Sequence, residues 1–346
     1  MKLLFFSDMH CHNYEDYSIR LENGRNSRLQ DCLNIVEQVR QWAIANPFSR
    51  VYFLGDVFHA RYRLDVDVLT ATREAFNQLA RECGLYMLVG NHDQYTRVGE
   101  VHATSIFADG DPYVDLEVLD KPGQWLSGTF TVAWYPHTSD VPAMKEWIKQ
   151  LPPTDIFIFH QGVSEAAVGP YDMHIKTEIS INDLPLDKVR FCIAGDYHKR
   201  QFIKNFHYVG SPLQLSQGER GEDKCFTVID TETWTLSSIP TNAPKFYKFD
   251  NLKEFHEEQK IDLNKDFVEL HVPTSEYKAG ELLKAKYPRI KLIGTEEKAE
   301  ARARVGSEVI GNDRKLCEQY IANNPTELDN TQVLAEALSL LQEDSE

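Results

Sequence analysis

The chain is poor in the features that mark a secreted, membrane-bound or polyanion-coating protein. Its six cysteines, at 11, 32, 83, 192, 225 and 317, form no C-x-x-C pair and follow no regular spacing, so neither a disulfide framework nor a cysteine zinc site is indicated. Cys83 and Cys192 lie in or beside apolar runs and read as reduced core residues. No apolar stretch approaches the ~20 residues of a membrane span. The short run after Met1-Lys2 does not reach the length of a signal-peptide core. The expectation is a cytoplasmic protein without membrane contact. Positive charge is also scarce: 37 Lys and Arg stand against 53 Asp and Glu, a net charge of -16. That argues against a basic groove neutralising many phosphates. Internal repeats and low-complexity runs are absent.

Five short segments stand out against this background: Asp8-Met9-His10, Gly55-Asp56, Gly90-Asn91-His92-Asp93, Phe159-His160 and Gly195-Asp196-Tyr197-His198. Each follows an apolar run, namely Leu3 to Phe6, Val51 to Leu54, Leu85 to Val89, Ile156 to Phe159 and Phe191 to Ala194. Open α/β sheets bind ligands at the carboxyl ends of their strands. Oxygen and nitrogen donors at five strand ends therefore read as a metal site. Asp8, His10, Asp56, Asn91, His160, Asp196 and His198 are too many ligands for one ion, and they fit two ions bridged by a shared carboxylate. Mixed imidazole and carboxylate donors suit manganese, iron or zinc better than calcium. A lone Asp or Asn after a strand is ordinarily a turn residue, so it is the ordered recurrence that carries the reading. Cys11 adjoins the first segment, but His10 already fills the ligand position.

The length of 346 residues suggests about two domains. Leu29, Cys32, Leu33, Val36, Val39 and Ile44 have helical spacing over Arg28 to Ala45. A second helix is expected near Val68 to Arg81 and a third near Pro142 to Gln150. Strands alternating with helices over the first ninety residues argue for a sheet covered by helices. Residues 113–135 read as short antiparallel pieces, and Val189 to Ile229 as strands broken by turns. The whole fits an α/β fold, a four-layer α/β/β/α sandwich over residues 1–243. Pro240, Asn242 and Pro244 mark a boundary. A small α/β capping domain is expected over 244–295, then a linker and C-terminal helices over 296–346. Thr326-Glu327-Leu328-Asp329 can open a helix. Val333, Leu334, Ala337, Leu338 and Leu341 would then share one apolar face.

The order of the five segments resembles the calcineurin-like metallophosphoesterases, whose pattern runs D-x-H, G-D, G-N-H followed by D or E, H, and G-H-x-H. Within them the chain is most similar to the SbcD-type nuclease subunits of recombination and repair, including their bacteriophage counterparts. Gly55-Asp56-Val57-Phe58-His59, Ala194 to Lys199 followed by Tyr208 to Pro212, and Gly218-Glu219 leading through Lys224 into Phe226 to Ile229 carry that narrower likeness. It covers roughly residues 1–240; beyond about 245 it is one of layout only.

The resemblance implies that Asp8, His10 and His198 hold one metal, that Asn91, His160 and Asp196 hold the other, and that Asp56 bridges them. It implies that His92 protonates the leaving oxygen while Asp93 orients the His92 ring. His59 and Arg61, just past Asp56, are placed either to contact a phosphate or in a solvated loop. His12, His137 and His174 are expected around the site rather than in it. Asp196 departs from the pattern, which has His there. A carboxylate at that place favours manganese or magnesium over zinc. Two divalent ions would also add four positive charges that the formal net charge ignores.

The activity implied is manganese-dependent hydrolysis of DNA phosphodiesters, in a homodimer whose C-terminal helix docks on an SbcC-type coiled-coil ATPase; read from its residues alone, that helix could equally pack on the chain's own capping unit. Two alternatives stay open: a phosphomonoesterase or small-nucleotide phosphodiesterase of the same superfamily, and a non-catalytic scaffold for the ATPase. The capping unit and the wording around residues 208–226 favour the nuclease. Retention of His92 argues against the scaffold, and Asp196 argues mildly for it.

Overall fold

The computed structural model describes residues 1–295 except 97, 98, 100, 109–112, 128 and 259, together with 315, 317, 318, 321 and 331–336. Met1–Ile293 form one compact unit and Gly294–Glu346 a second.

The first unit is built on two six-stranded sheets. One runs Thr235–Pro240, Cys225–Asp230, Lys2–Phe6, Arg50–Phe53, Gly84–Leu88 and Leu116–Leu119 across its width. The other runs Gln201–Ile203, Phe206–Tyr208, Val189–Gly195, Thr154–His160, Phe130–Tyr135 and Gly123–Ser127. Side chains alternate across a strand with period two, and that alternation explains the layering. Leu3, Phe5, Tyr52 and Leu54 meet Ile156, Ile158, Ile193 and Val132 in one buried cluster between the sheets. Leu4, Phe6, Val51 and Phe53 point the other way, into a cluster with Leu29, Val36, Phe76 and Leu79. These last four belong to the helices Ser27–Ala45 and Val66–Ala80. Phe157 and Phe159 face Met144 and Ile148 of the helix Val141–Gln150. The central strands are therefore buried on both faces, which is why they read as unbroken apolar runs.

The helix over 27–45 begins where the Asn26 side chain accepts from the amides of Arg28 and Leu29, a side-chain cap on otherwise unpaired donors. The segment 113–135 differs in part from expectation. Leu116–Leu119 pairs parallel with Gly84–Leu88, and only Gly123–Ser127 and Phe130–Tyr135 make an antiparallel pair. Beyond residue 245 a three-stranded sheet of Phe246–Phe249, Phe267–Pro273 and Ile290–Thr295 carries the helices Leu252–Glu257 and Tyr277–Lys286. It has its own core of Phe249, Phe255, Val268, Leu270 and Ile290. It is tied to the helix over 27–45 by Arg289, whose guanidinium meets buried Asp31 at 2.8 Å.

In the second unit, residues 331–336 are helical, with Val333 and Leu334 half-buried. Ala337, Leu338 and Leu341 of the expected stripe, and the Thr326 to Asp329 cap, lie outside the described residues. Among the described residues no helix is long and apolar enough to cross a membrane. All six cysteines are free.

Candidate metal centre

The parallel strands Lys2–Phe6 and Arg50–Phe53 end side by side, and their loops stay joined by main-chain bonds. The Asp8 amide donates to the Gly55 carbonyl at 2.9 Å and the His10 amide to the Asp56 carbonyl at 3.1 Å. The chain leaves the strands through left-handed backbone: φ is 55° at Asp8, 45° at His10, 62° at Asp56 and 97° at Asp196. Such conformations cost roughly 1–3 kcal/mol each and persist where surrounding structure imposes them, often at functional sites. Two glycines let the loops close in. A Cβ on Gly90 would land on the Asp56 side chain and amide, and one on Gly195 would land on the Ser7 hydroxyl and the Leu54 carbonyl.

The side chains so placed form two groups that meet at Asp56. On one side, His10 Nε2 lies 3.5 Å from Asp56 Oδ2 and 4.0 Å from Asp8 Oδ1. His198 Nε2 lies 3.9 Å from the same Asp8 oxygen and 3.1 Å from His10 Nε2. On the other side, His160 Nε2 is 3.5 Å from Asp56 Oδ1, 3.8 Å from Asp196 Oδ1 and 3.1 Å from Asn91 Oδ1. All seven strand-end residues picked from the sequence are therefore gathered in one place. Asp8–His10–His198 and Asp8–Asp56–His160 each converge closely enough to hold an ion. Cys11 instead packs in the core beneath the helices.

The donor set fits divalent cations. Asp8 Oδ1 is buried and has no hydrogen-bond partner among the described residues, although buried polar groups are ordinarily paired. His160 gives its Nδ1 proton to the Leu54 carbonyl at 2.6 Å, and His198 turns Nδ1 to Glu219 Oε1 at 2.9 Å. Both rings thus aim Nε2 into the cluster, the arrangement that orients metal-binding imidazoles. Without a metal the three rings differ in charge. Burial holds His10 down to about 3, so its ring is neutral and able to donate a lone pair. Burial also opposes charge on His160, but Asp56, Asp8 and Asp196 outweigh it and lift the ring to about 10. His198 likewise overcomes burial through Glu219 and Asp8, reaching about 9. Burial raises Asp8 and carries Asp196 to about 6. Against its own burial, Asp56 is held well below the ordinary carboxylate range by His160, His10 and His92. Buried carboxylates so close together call for cations.

Asp93 differs from expectation. Its carboxylate is buried and takes three main-chain donors: Gly90 and Asp56 on Oδ2, and Val57 on Oδ1, each at 2.9 Å. It thereby locks the loops over 55–57 and 90–93 together. The His92 ring is held instead by the His59 carbonyl, 2.8 Å from Nδ1. Nε2 is left for a ligand, and the ring centroid lies 4.7 Å from that of His10. His59 itself is exposed and forms a further triplet with His10 and His92. Arg61 lies farther out, on a cavity of about 450 Å³ that also touches Asn91 and His137. His12 packs beside His59 with its ring tilted, while His174 is exposed on the strand Met173–His174.

Glu219 was not singled out as a site residue from sequence. Beside its bond to His198, its other oxygen meets Lys224 Nζ at 2.7 Å and the Ser211 hydroxyl at 3.1 Å. The signal was present in the Gly218-Glu219 and Lys224 segment, but only the fold brings it behind His198.

Over 227 residues the chain is 23% identical to exonuclease subunit 1 of Enterobacteria phage T4, a match spanning 60% of each protein. A solved archaeal phosphodiesterase aligns with 70% of this chain and 100% of its own at 13% identity, with a TM-score of 0.35. The family description "Calcineurin-like phosphoesterase" matches residues 1–293, the whole span that carries the paired His and Asp clusters, and the chain belongs to that family of metal-dependent phosphoesterases.

Proposed function

We propose that the chain is a manganese-dependent DNA phosphodiesterase, the nuclease subunit of an SbcCD-type complex. One observation carries the reading: Asp56 stands 3.5 Å from His10 on one side and 3.5 Å from His160 on the other, placed to serve two cations. Asp8, His10 and His198 would hold one, and Asn91, His160 and Asp196 the other. The layering of helix, sheet, sheet and helix suits the four-layer sandwich. The likeness to a phage exonuclease subunit supports a nucleic-acid substrate and a partner subunit.

Divalent ions bound there would offset the negative charge of the phosphodiester and acidify a bound water. The chain's own residues do the rest. Asp93 and the main-chain bonds between loops hold the ligands in place before substrate arrives. The His59 carbonyl fixes the His92 ring so that Nε2 can carry a proton to the departing 3′ oxygen. His59 and Arg61 are placed to meet neighbouring phosphates. The capping unit, residues 244–295, helps position DNA, and residues 325–343 dock on the ATPase, whose surface complements a chain of net charge -16.

The test is cleavage of linear double-stranded DNA in manganese, with and without an SbcC-type ATPase, set beside bis-p-nitrophenyl phosphate and p-nitrophenyl phosphate. DNA and the diester should be cut and the monoester spared, with the partner increasing DNA cleavage. A preference for the monoester would instead identify a phosphomonoesterase. Silence on every substrate at full metal occupancy would leave only the scaffold.

A further inference from the structure

The cavity of about 450 Å³ beside Asn91 has lining that phosphate chemistry does not require. Two of its residues are tyrosines held out in solvent: Tyr62 is 73% and Tyr95 52% exposed. Their rings meet edge to face, with centroids 5.6 Å apart and planes at 82°, so aromatic faces are left open. The platform has a firm base. The Tyr95 amide donates to the Val101 carbonyl at 2.8 Å. Gln94, next to it and buried, donates from Nε2 to the His137 carbonyl at 2.7 Å. Arg61 adds a cation at the same wall. Two other lining residues have hydrogen-bonding capacity to spare: His137 Nδ1 and Gln161 Oε1 are buried without partners among the described residues.

We infer that this cavity is a base-stacking subsite, in which Tyr62 and Tyr95 take an unpaired nucleobase of the strand being cleaved. The inference rests on the phosphodiesterase reading above and adds a substrate feature to it. A phosphodiester held at the metal cluster carries a nucleoside on each side. Asn91 belongs to the cluster and to the cavity wall alike, so one of those nucleosides extends over the tyrosines. Stacking on aromatic rings tolerates every base, because each has a π-face, and it requires the base to leave its duplex partner. The chain would therefore act best where an end is frayed or single-stranded.

Two manganese-activated substrates with the same leaving group isolate the base: thymidine 5′-(p-nitrophenyl phosphate) and methyl p-nitrophenyl phosphate. The wild-type protein should prefer the thymidine ester in kcat/KM by about tenfold or more. Tyr62→Ala with Tyr95→Ala should abolish that preference, and Tyr62→Phe with Tyr95→Phe should keep it. An undiminished preference in the double alanine variant overturns the subsite while leaving the phosphodiesterase intact. If neither ester is hydrolysed, the phosphodiesterase reading fails, and calorimetry decides the subsite by itself. In that case thymidine 5′-monophosphate should bind more tightly than deoxyribose 5-phosphate, and only while the rings are present. Equal binding of the two, or none, overturns it.

Discussion

Asp93 Oδ2 accepts the main-chain amide of Asp56 at 2.9 Å, so the carboxylate after His92 anchors the loop that carries Asp56. In return the His92 amide donates to Asp56 Oδ1 at 2.7 Å. The G-D and G-N-H-D segments are thus one interlocked unit. Asp93→Ala would strand three buried amides. An unsatisfied buried donor costs about 1–3 kcal/mol. Urea unfolding of the metal-free protein should show a loss of about 3 kcal/mol or more; an unchanged midpoint would remove Asp93 from this role.

His92 is positioned by its neighbours but holds none of them with its Nε2. His92→Ala should leave metal stoichiometry and stability close to wild type while lowering turnover by about 10²–10⁴-fold, the usual range for a placed general acid. The contrast with Asp93→Ala is diagnostic, since one change removes chemistry and the other removes architecture. Wild-type turnover by the His92 variant at full metal occupancy would exclude it from the proton transfer.

The strand ends were legible because the information is local. An apolar run buried on both faces followed at once by Asp, Asn or His marks where the chain leaves the sheet, and the observed strands fall within a residue or two of those runs. Four things were not legible, three of them for one physical reason. Whether Asp93 turns to the adjacent ring or to backbone amides is decided by the Gly55 to Val57 loop, far away in sequence. Glu219 reaches His198 only because the short turn Gln217–Glu219 folds back over the strand end. Leu116–Leu119 takes its direction from its pairing with Gly84–Leu88, which its own residues do not encode. The helix Leu252–Glu257 is six residues long and too short to show periodicity.

His207 joins the two sheets. Its Nε2 lies 2.8 Å from the Thr227 hydroxyl of the first sheet, and its Nδ1 lies 3.1 Å from the Gln201 carbonyl of the second. Burial, with Arg200 nearby, holds the ring down to about 3. The folded value lies below the ordinary 6.5 of the unfolded chain, so the unfolded state binds the extra proton. This contribution is complete above about pH 6.5 and is lost as pH falls toward 3. His207→Gln should make stability depend less steeply on pH between 6 and 4, by about 1.4 kcal/mol per pH unit. Parallel pH profiles for the two proteins would show that some other group governs acid unfolding.

Glu219 ties the His and Asp cluster to the rest of the fold. Burial opposes its charge, yet His198 and Lys224 pull it down to about 2, so it stands ionised behind the His198 ring. It fixes the ring with Nδ1 turned away, and Nε2 is thereby presented to the cluster. Glu219→Gln keeps the size but removes the charge, and its amide cannot satisfy both Lys224 and His198 as the carboxylate does. Lys224 retains Glu222 at 2.8 Å, so the fold should survive. Changes to a ligand's supporting partner typically cost 10–100-fold in metal affinity. Manganese titration by calorimetry should therefore show one of two binding events weakened by about that factor, the other remaining near wild type. Turnover should recover largely at saturating manganese, because Glu219 orients a ligand and touches no reacting atom. Unaltered affinity at both sites would mean that the His198 ring keeps its orientation without the carboxylate.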